Sequence, residues 1–97
     1  MKQLEFKQLA INQDNKLCSI NGKAINLSKK EYELLVFLMS NPNHVYSREE
    51  LLKELWHTRV SFKAVDTAIS RLRKSLQEYG AYIVTRSGFG YGFSNDE

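Results

Sequence analysis

Apolar positions change their spacing twice along these 97 residues, and each change marks a different kind of element. Over residues 4–6, 9–12, 17–20 and 24–27 they cluster or alternate in short runs between turn signals at Asp14-Asn15 and Asn21-Gly22. A period of two belongs to strands, and Asn-Gly suits a two-residue hairpin because both residues tolerate positive φ. The pattern predicts an antiparallel meander of up to four strands. From Ser28 the spacing lengthens to three and four. Ser28-Lys29-Lys30-Glu31 has the form of a capping box, with Ser28 as N-cap and Glu31 reaching back. The helix that follows aligns Tyr32, Leu35 and Met39, widened by Leu34 and Leu38, and Asn41-Pro42-Asn43 ends it. Val45-Tyr46 reads as a short extended piece. Ser47-Arg48-Glu49-Glu50 is a second capping box, opening a helix over 48–56 that buries Leu51, Leu52 and Leu55. A polar loop over 57–61 leads to a third helix over 62–79, with Gly80 as its left-handed terminal residue. The spacing returns to two at the end: 82–85, a turn at Arg86-Ser87-Gly88, and a returning strand over 89–93.

Composition narrows the class. Ninety-seven residues suit one domain with a modest core, 42% of them apolar. The apolar run 34–39 is far too short for a bilayer, and the N-terminus lacks the apolar stretch of a signal peptide. The single cysteine, Cys18, has no internal partner, fits a reducing cytoplasm, and reads as a small buried strand residue. Net charge is +3, and the distribution says more than the total. Residues 57–93 carry six basic side chains against two acidic ones, whereas residues 1–56 are nearly balanced. The second half would attract a polyanion.

On a wheel of about 100° per residue, Val65, Ile69, Leu72 and Leu76 share a narrow arc of the third helix. The opposite arc holds Lys63, Thr67, Ser70, Arg71 and Lys74, with Arg73 on the flank and Asp66 and Glu78 off its centre. A helix in a DNA major groove needs such a face. Cations neutralise phosphates, arginine can bond guanine with two hydrogen bonds, and threonine can touch a thymine methyl. A solvated amphipathic surface would show the same wheel. In the last segment Phe89, Tyr91 and Phe93 alternate with Gly88, Gly90 and Gly92, which predicts aromatics anchoring one face of a hairpin to the core. Arg86 would project near the tip, where a minor groove could receive it. The glycine spacing is no nucleotide loop, because no helix follows to meet a phosphate.

These residues resemble a known family. Ser28-Lys-Lys-Glu-Tyr-Glu-Leu-Leu, Tyr46-Ser-Arg-Glu-Glu-Leu-Leu, Leu55-Trp56, Val65-Asp66 with Ile69 and Leu72-Arg73, and Thr85 followed by Gly88-Phe-Gly-Tyr91 look like the effector domain of OmpR/PhoB-type response regulators of two-component systems. The resemblance covers nearly the whole chain. It implies an α+β winged helix-turn-helix: an N-terminal antiparallel four-stranded sheet (1–27), a three-helix core (28–80) and a C-terminal β-hairpin wing (81–94). It further implies transcription control in the cytoplasm through sequence-selective duplex DNA, with the third helix in the major groove and the wing on the adjacent minor groove or backbone. Head-to-tail dimers on direct repeats, and RNA polymerase contact through the loop after the second helix, come with it. Carried over by residue, Thr67, Ser70 and Arg71 would face bases, with Lys63, Arg73 and Lys74 on or near the DNA backbone. Arg48, Trp56, Thr85 and Tyr91 match positions that contact or buttress phosphates. Three departures stand out. The usual wing is Thr-Val-Arg-Gly, whereas Thr85-Arg86-Ser87-Gly88 brings the arginine one place earlier and so onto the other strand face. Ala68 and Ser70 are small where relatives often carry larger groups, which predicts fewer base contacts. The loop over 57–61 is short.

No catalytic or metal-ligand pattern emerges: His44 and His57 have no Cys or His partner at ligand spacing, and no cofactor motif is present. Neither an enzyme nor a membrane contact is expected from these residues. The family's receiver domain is absent from them, leaving a free-standing regulator or a piece of a longer one. The alternative function is a protein-interaction module in a winged-helix shape, binding polymerase or another regulator through Trp56 and the following loop.

Overall fold

The computed structural model describes residues 3–57 and 59–95, and Thr58 of the predicted 57–61 loop lies outside them. Four strands come first: β1 (Gln3–Phe6), β2 (Leu9–Asn12), β3 (Leu17–Ile20) and β4 (Lys23–Ile25), in the antiparallel order β1-β2-β3-β4. Their register pairs Phe6 with Leu9, Leu9 with Ile20, Ile11 with Cys18 and Cys18 with Ile25, so the apolar set shares one face. Leu9, Ile11, Cys18 and Ile20 on that face are buried. Asn21 and Gly22 both take positive φ, 54° and 79°, which is the twist a two-residue hairpin requires. Burial pushes the Cys18 thiol up to about 11, so it stays protonated and unreactive near neutral pH.

Three helices follow: α1 (Lys29–Ser40), α2 (Arg48–Leu55) and α3 (Phe62–Ser75). Leu34, Leu35, Leu38 and Met39 of α1, Leu51 of α2, and Val65, Ala68, Ile69 and Leu72 of α3 meet in one core under the sheet. The two capping signals resolve differently. At α2 the box is complete, with Ser47 Oγ accepting from Glu50 N–H and Glu50 accepting from Ser47 N–H. The latter bond holds the Glu50 carboxyl below its usual range. At α1 only half of it forms. Ser28 Oγ accepts from Glu31 N–H, but the Glu31 carboxylate turns away to accept from Ser75 Oγ at 2.9 Å, tying α1 to the end of α3.

The third helix ends earlier than its periodicity predicts. Leu76 caps it and Gln77, at φ 57°, is the left-handed residue, followed by a 3-10 segment, Gln77–Tyr82. Gly80 therefore does not supply the left-handed step. The reason lies in the core: the tighter turn brings Tyr79 and Tyr82 onto Phe6, with ring centroids at 6.4 and 4.6 Å. Gly80 serves close approach instead, since a Cβ there would collide with the Arg73 carbonyl.

The wing consists of β5 (Ile83–Arg86) and β6 (Gly90–Phe93), paired Ile83–Phe93, Val84–Gly92, Thr85–Tyr91 and Arg86–Gly90. Residues 43–46 add a third line: Tyr46 and Tyr91 exchange both backbone bonds at 2.8 and 2.9 Å, and Asn43 N–H donates to Phe93 O at 2.7 Å. Since Ser47 caps α2, the wing is tied directly to that helix's N-terminus. The predicted aromatic face holds for two residues of three. Phe93 is buried and Tyr91 half-buried, but Phe89 sits in the three-residue turn beyond the last rung and is 75% exposed.

Gly80→Ala should destabilise the fold by about 1–3 kcal/mol, the range for forcing atoms into a packed interior. Urea unfolding measures it, and a midpoint equal to that of the unsubstituted chain would contradict the close approach.

Candidate nucleic-acid interface

With Val65, Ala68, Ile69 and Leu72 turned into the core, α3 exposes Lys63, Thr67, Ser70, Arg71 and Lys74 along its outer ridge. Ala68 is only 9% exposed and belongs to the buried seam. Its small size therefore serves packing, and the expectation linking it to fewer base contacts is corrected. Ser70 does lie on the open ridge, where its short hydroxyl reaches little.

Two open concavities flank the ridge. The first, of about 430 Å³, is walled by Trp56, Lys63, Thr67 and Arg71, together with Lys30 and Ser61. Trp56 occupies the C-cap of α2, its backbone extended at φ −111°, ψ 121°. The Lys30 ammonium donates to Leu55 O, the carbonyl beside that cap, and stands 4.9 Å from the indole centroid. The second concavity, of about 410 Å³, lies between the N-termini of α2 and α3 and the wing, and Arg48, Phe62, Thr85, Arg86, Phe89 and Tyr91 line it. Four predicted residues thus meet on each side of the helix.

The wing is fixed to α3 by Arg73. Its Nε and Nη2 donate to Ile83 O at 2.9 and 2.8 Å, and Nη2 also donates to Thr85 Oγ1 at 2.7 Å. The same guanidinium lies 5.9 Å from the Tyr91 ring. Arg73 is half-buried, and these bonds engage it within the protein. About two turns earlier on α3, Asp66 accepts from the Tyr91 hydroxyl at 2.6 Å and pairs with Arg48 at 3.5 Å. Burial first, and then the bond to Asp66, pushes the Tyr91 phenol above its ordinary value. It therefore remains a hydrogen-bond donor throughout the neutral range. Thr85 and Tyr91 are cross-strand partners and share a face; Arg86 pairs with Gly90 on the opposite face, exposed at the tip.

Sequence periodicity located the ridge but missed its supports. Asp66 was visible as a charge off the ridge's centre and in the Val65-Asp66 motif, but nothing local linked it to Tyr91, 25 residues on. Lys30 gave no signal, since its partners come from another helix.

Residues 22–93 match the family model described as "Transcriptional regulatory protein, C terminal". The chain belongs to that family. Its fold is the OmpR/PhoB-type winged helix-turn-helix. Residues covering 97% of the domain are 43% identical, over 103 positions, to the transcriptional regulatory protein SrrA of Staphylococcus aureus (strain NCTC 8325 / PS 47). The domain spans 43% of SrrA's length. Among solved structures, the Thermotoga maritima OmpR/PhoB homologue DrrB superposes with a TM-score of 0.89 at 39% identity, over 95% of this chain and 44% of DrrB. The DNA-binding domain of Klebsiella pneumoniae RstA, solved in complex with the RstA box, gives 0.88 at 30% identity, over 99% of this chain and all of that one. No helix among the domain's described residues is long and apolar enough to cross a membrane.

Arg73→Ala should loosen the wing of this OmpR/PhoB-type domain. Hydrogen bonds to a charged group contribute about 1.5–3 kcal/mol when partly buried, so amide exchange at 83–86 and 90–93 should accelerate by at least about tenfold. Exchange unchanged at those amides would show that Arg73 does not hold the hairpin.

Proposed function

We propose that the domain binds duplex DNA sequence-selectively as the effector part of a cytoplasmic transcriptional regulator, α3 entering the major groove and the wing lying on the adjacent minor groove or backbone. One observation carries the reading: five polar and cationic side chains form a single exposed ridge on α3, flanked by concavities that gather all the remaining predicted contacts except Arg73. The ridge is available because α3 spends only its other face on the core.

Thr67, Ser70 and Arg71 near the middle of the ridge are the base-facing residues, and Lys63 and Lys74 at its ends meet phosphates. Arg48 on one flank, and Trp56 on the other, meet the two strands bordering the groove, while Tyr91, whose hydroxyl is given to Asp66, buttresses the first of these flanks. Arg73 and Thr85 act at one remove: the guanidinium holds the hairpin, and the hydroxyl it engages fixes the strand that carries Arg86. That divides the predicted contacts into those that touch DNA and those that aim the parts touching it. Arg86, at the tip and on the face away from Tyr91, reaches the minor groove or the phosphates beside it. Binding of two copies to direct repeats, and a polymerase contact through residues 57–61, extend the same reading. Support comes from the resemblance of the recognition and wing motifs, and from the RstA domain, whose structure contains its DNA box.

Arg71→Ala should cost about 1–3 kcal/mol on a selected site and relax specificity at the base pair it reads. Lys74→Ala should weaken binding to all duplexes similarly and reduce the slope of log K against log salt by about 0.9, one phosphate's worth. Fluorescence anisotropy over a salt series, using a site selected from a random pool and an unselected duplex, measures both. Unchanged affinity for every duplex in both variants would overturn this docking face, and no binding by the parent domain at low salt would favour a protein-interaction module.

A further inference from the structure

Lys30 sits where α1 begins, far from the recognition ridge in sequence, yet it walls the same concavity as Trp56, Lys63 and Arg71. An exposed lysine there would be read as one more phosphate ligand. Its contacts argue otherwise. An ammonium has three N–H donors and no more. One goes to Leu55 O, at the C-terminus of α2; one faces Glu33 Oε1 at 3.1 Å; and the indole of Trp56 lies 4.9 Å from the ammonium. These contacts engage the lysine within the protein.

We infer that Lys30 is a positioning residue for DNA binding, acting through Trp56. The inference rests on the proposed role of Trp56 at a DNA phosphate. The geometry supplies two effects at once. Trp56 follows the last turn of α2, whose terminal carbonyls carry partial negative charge. Lys30 satisfies the Leu55 carbonyl, one of the acceptors a helix end leaves open. The same cation lies against the ring, so the indole is held at the start of α1 by electrostatic attraction to its π face as well as by its packing on the core. Glu33, one turn along α1, balances the charge and keeps the ammonium from swinging outward. Trp56 is only half-buried: one side packs on the core, and the lysine covers part of what the core leaves open.

The chain contains a single tryptophan, which makes its fluorescence a direct reporter of this contact. The test compares Lys30→Met, Lys30→Arg and the charge-matched control Lys29→Met, first without DNA. Lys30→Met should raise the acrylamide quenching constant of Trp56 by about twofold, reflecting loss of one cation–π contact. Lys30→Arg should largely restore it and Lys29→Met should leave it alone. Thermal unfolding monitored by far-UV circular dichroism establishes that each variant is folded.

On duplex DNA, Lys30→Met should lower affinity by about fivefold, the equivalent of one such contact, with the salt slope unchanged. In a Trp56→Leu background the same substitution should have no further effect. Quenching unchanged in Lys30→Met overturns the proposal. So does a loss of affinity that persists in the Trp56→Leu background together with a salt slope reduced by about 0.9, since that marks a direct phosphate ligand. If the parent domain itself binds no duplex, the proposed function falls and the positioning role in DNA binding falls with it. If the parent binds and only the Lys30 comparisons fail, the positioning role alone is lost.

Discussion

Burial of one side of α3 is the constraint on which the rest of this molecule depends. Val65, Ile69 and Leu72 are at most 1% exposed, and Ala68 9%. Fully burying an aliphatic side chain of that size contributes about 1.5–3 kcal/mol, whereas an exposed ion pair contributes about 0–1 kcal/mol. The Arg48–Asp66 pair, with side chains 47% and 42% exposed, therefore cannot set the rotation of the helix. The apolar seam does, and the direction of Lys63, Thr67, Ser70, Arg71 and Lys74 follows from it. The polar contacts around α3 act on what lies beside the ridge. From α3 they hold the wing and the start of α2 at one flank, and at the other Lys30 of α1 holds the end of α2.

Those flanks are built by side chains that reach between elements. Arg73 joins α3 to the first wing strand, Asp66 joins it to the second through Tyr91, and residues 43–46 join that strand to the cap of α2. A displacement of the hairpin would thus have to break contacts to two helices. Arg73 illustrates how a cation near a DNA-facing surface can serve the surface without touching the ligand: its donors are turned toward a backbone carbonyl and a threonine hydroxyl. The Glu31 carboxylate does something similar, leaving its own helix cap to bond Ser75 and fasten the end of α3.

What was legible in the sequence was whatever depended on local periodicity or turn chemistry. The four strands, the Asn21-Gly22 turn, both serine caps and the two faces of α3 follow from spacing alone. The end of α3 did not, because apolar spacing continued through Leu76 and Tyr79 while the core needed Tyr79 and Tyr82 to turn back onto Phe6. Gly80 invited assignment as a helix terminator, yet its lack of a side chain answers a steric demand from Arg73, seven residues earlier. Phe89 continued a regular aromatic alternation that the three-residue turn interrupts. Ala68 looked like a truncated contact residue and is a core residue. At the end of α3, Gly80 and Ala68 a tertiary contact overrode a sound local rule, at Phe89 the hairpin turn did, and the contacts of Lys30, Asp66 and Arg73 lay outside any such rule from the start.

The central claim is that the exposed ridge of α3 and the wing beside it are the surface that meets DNA. Titrating the 15N-labelled domain with a duplex and following amide shifts tests it most directly. The account predicts the largest changes at 62–74 and 85–91, with residues 3–25 of the sheet nearly unmoved. Changes concentrated on the sheet, with α3 silent at saturating duplex, would contradict it.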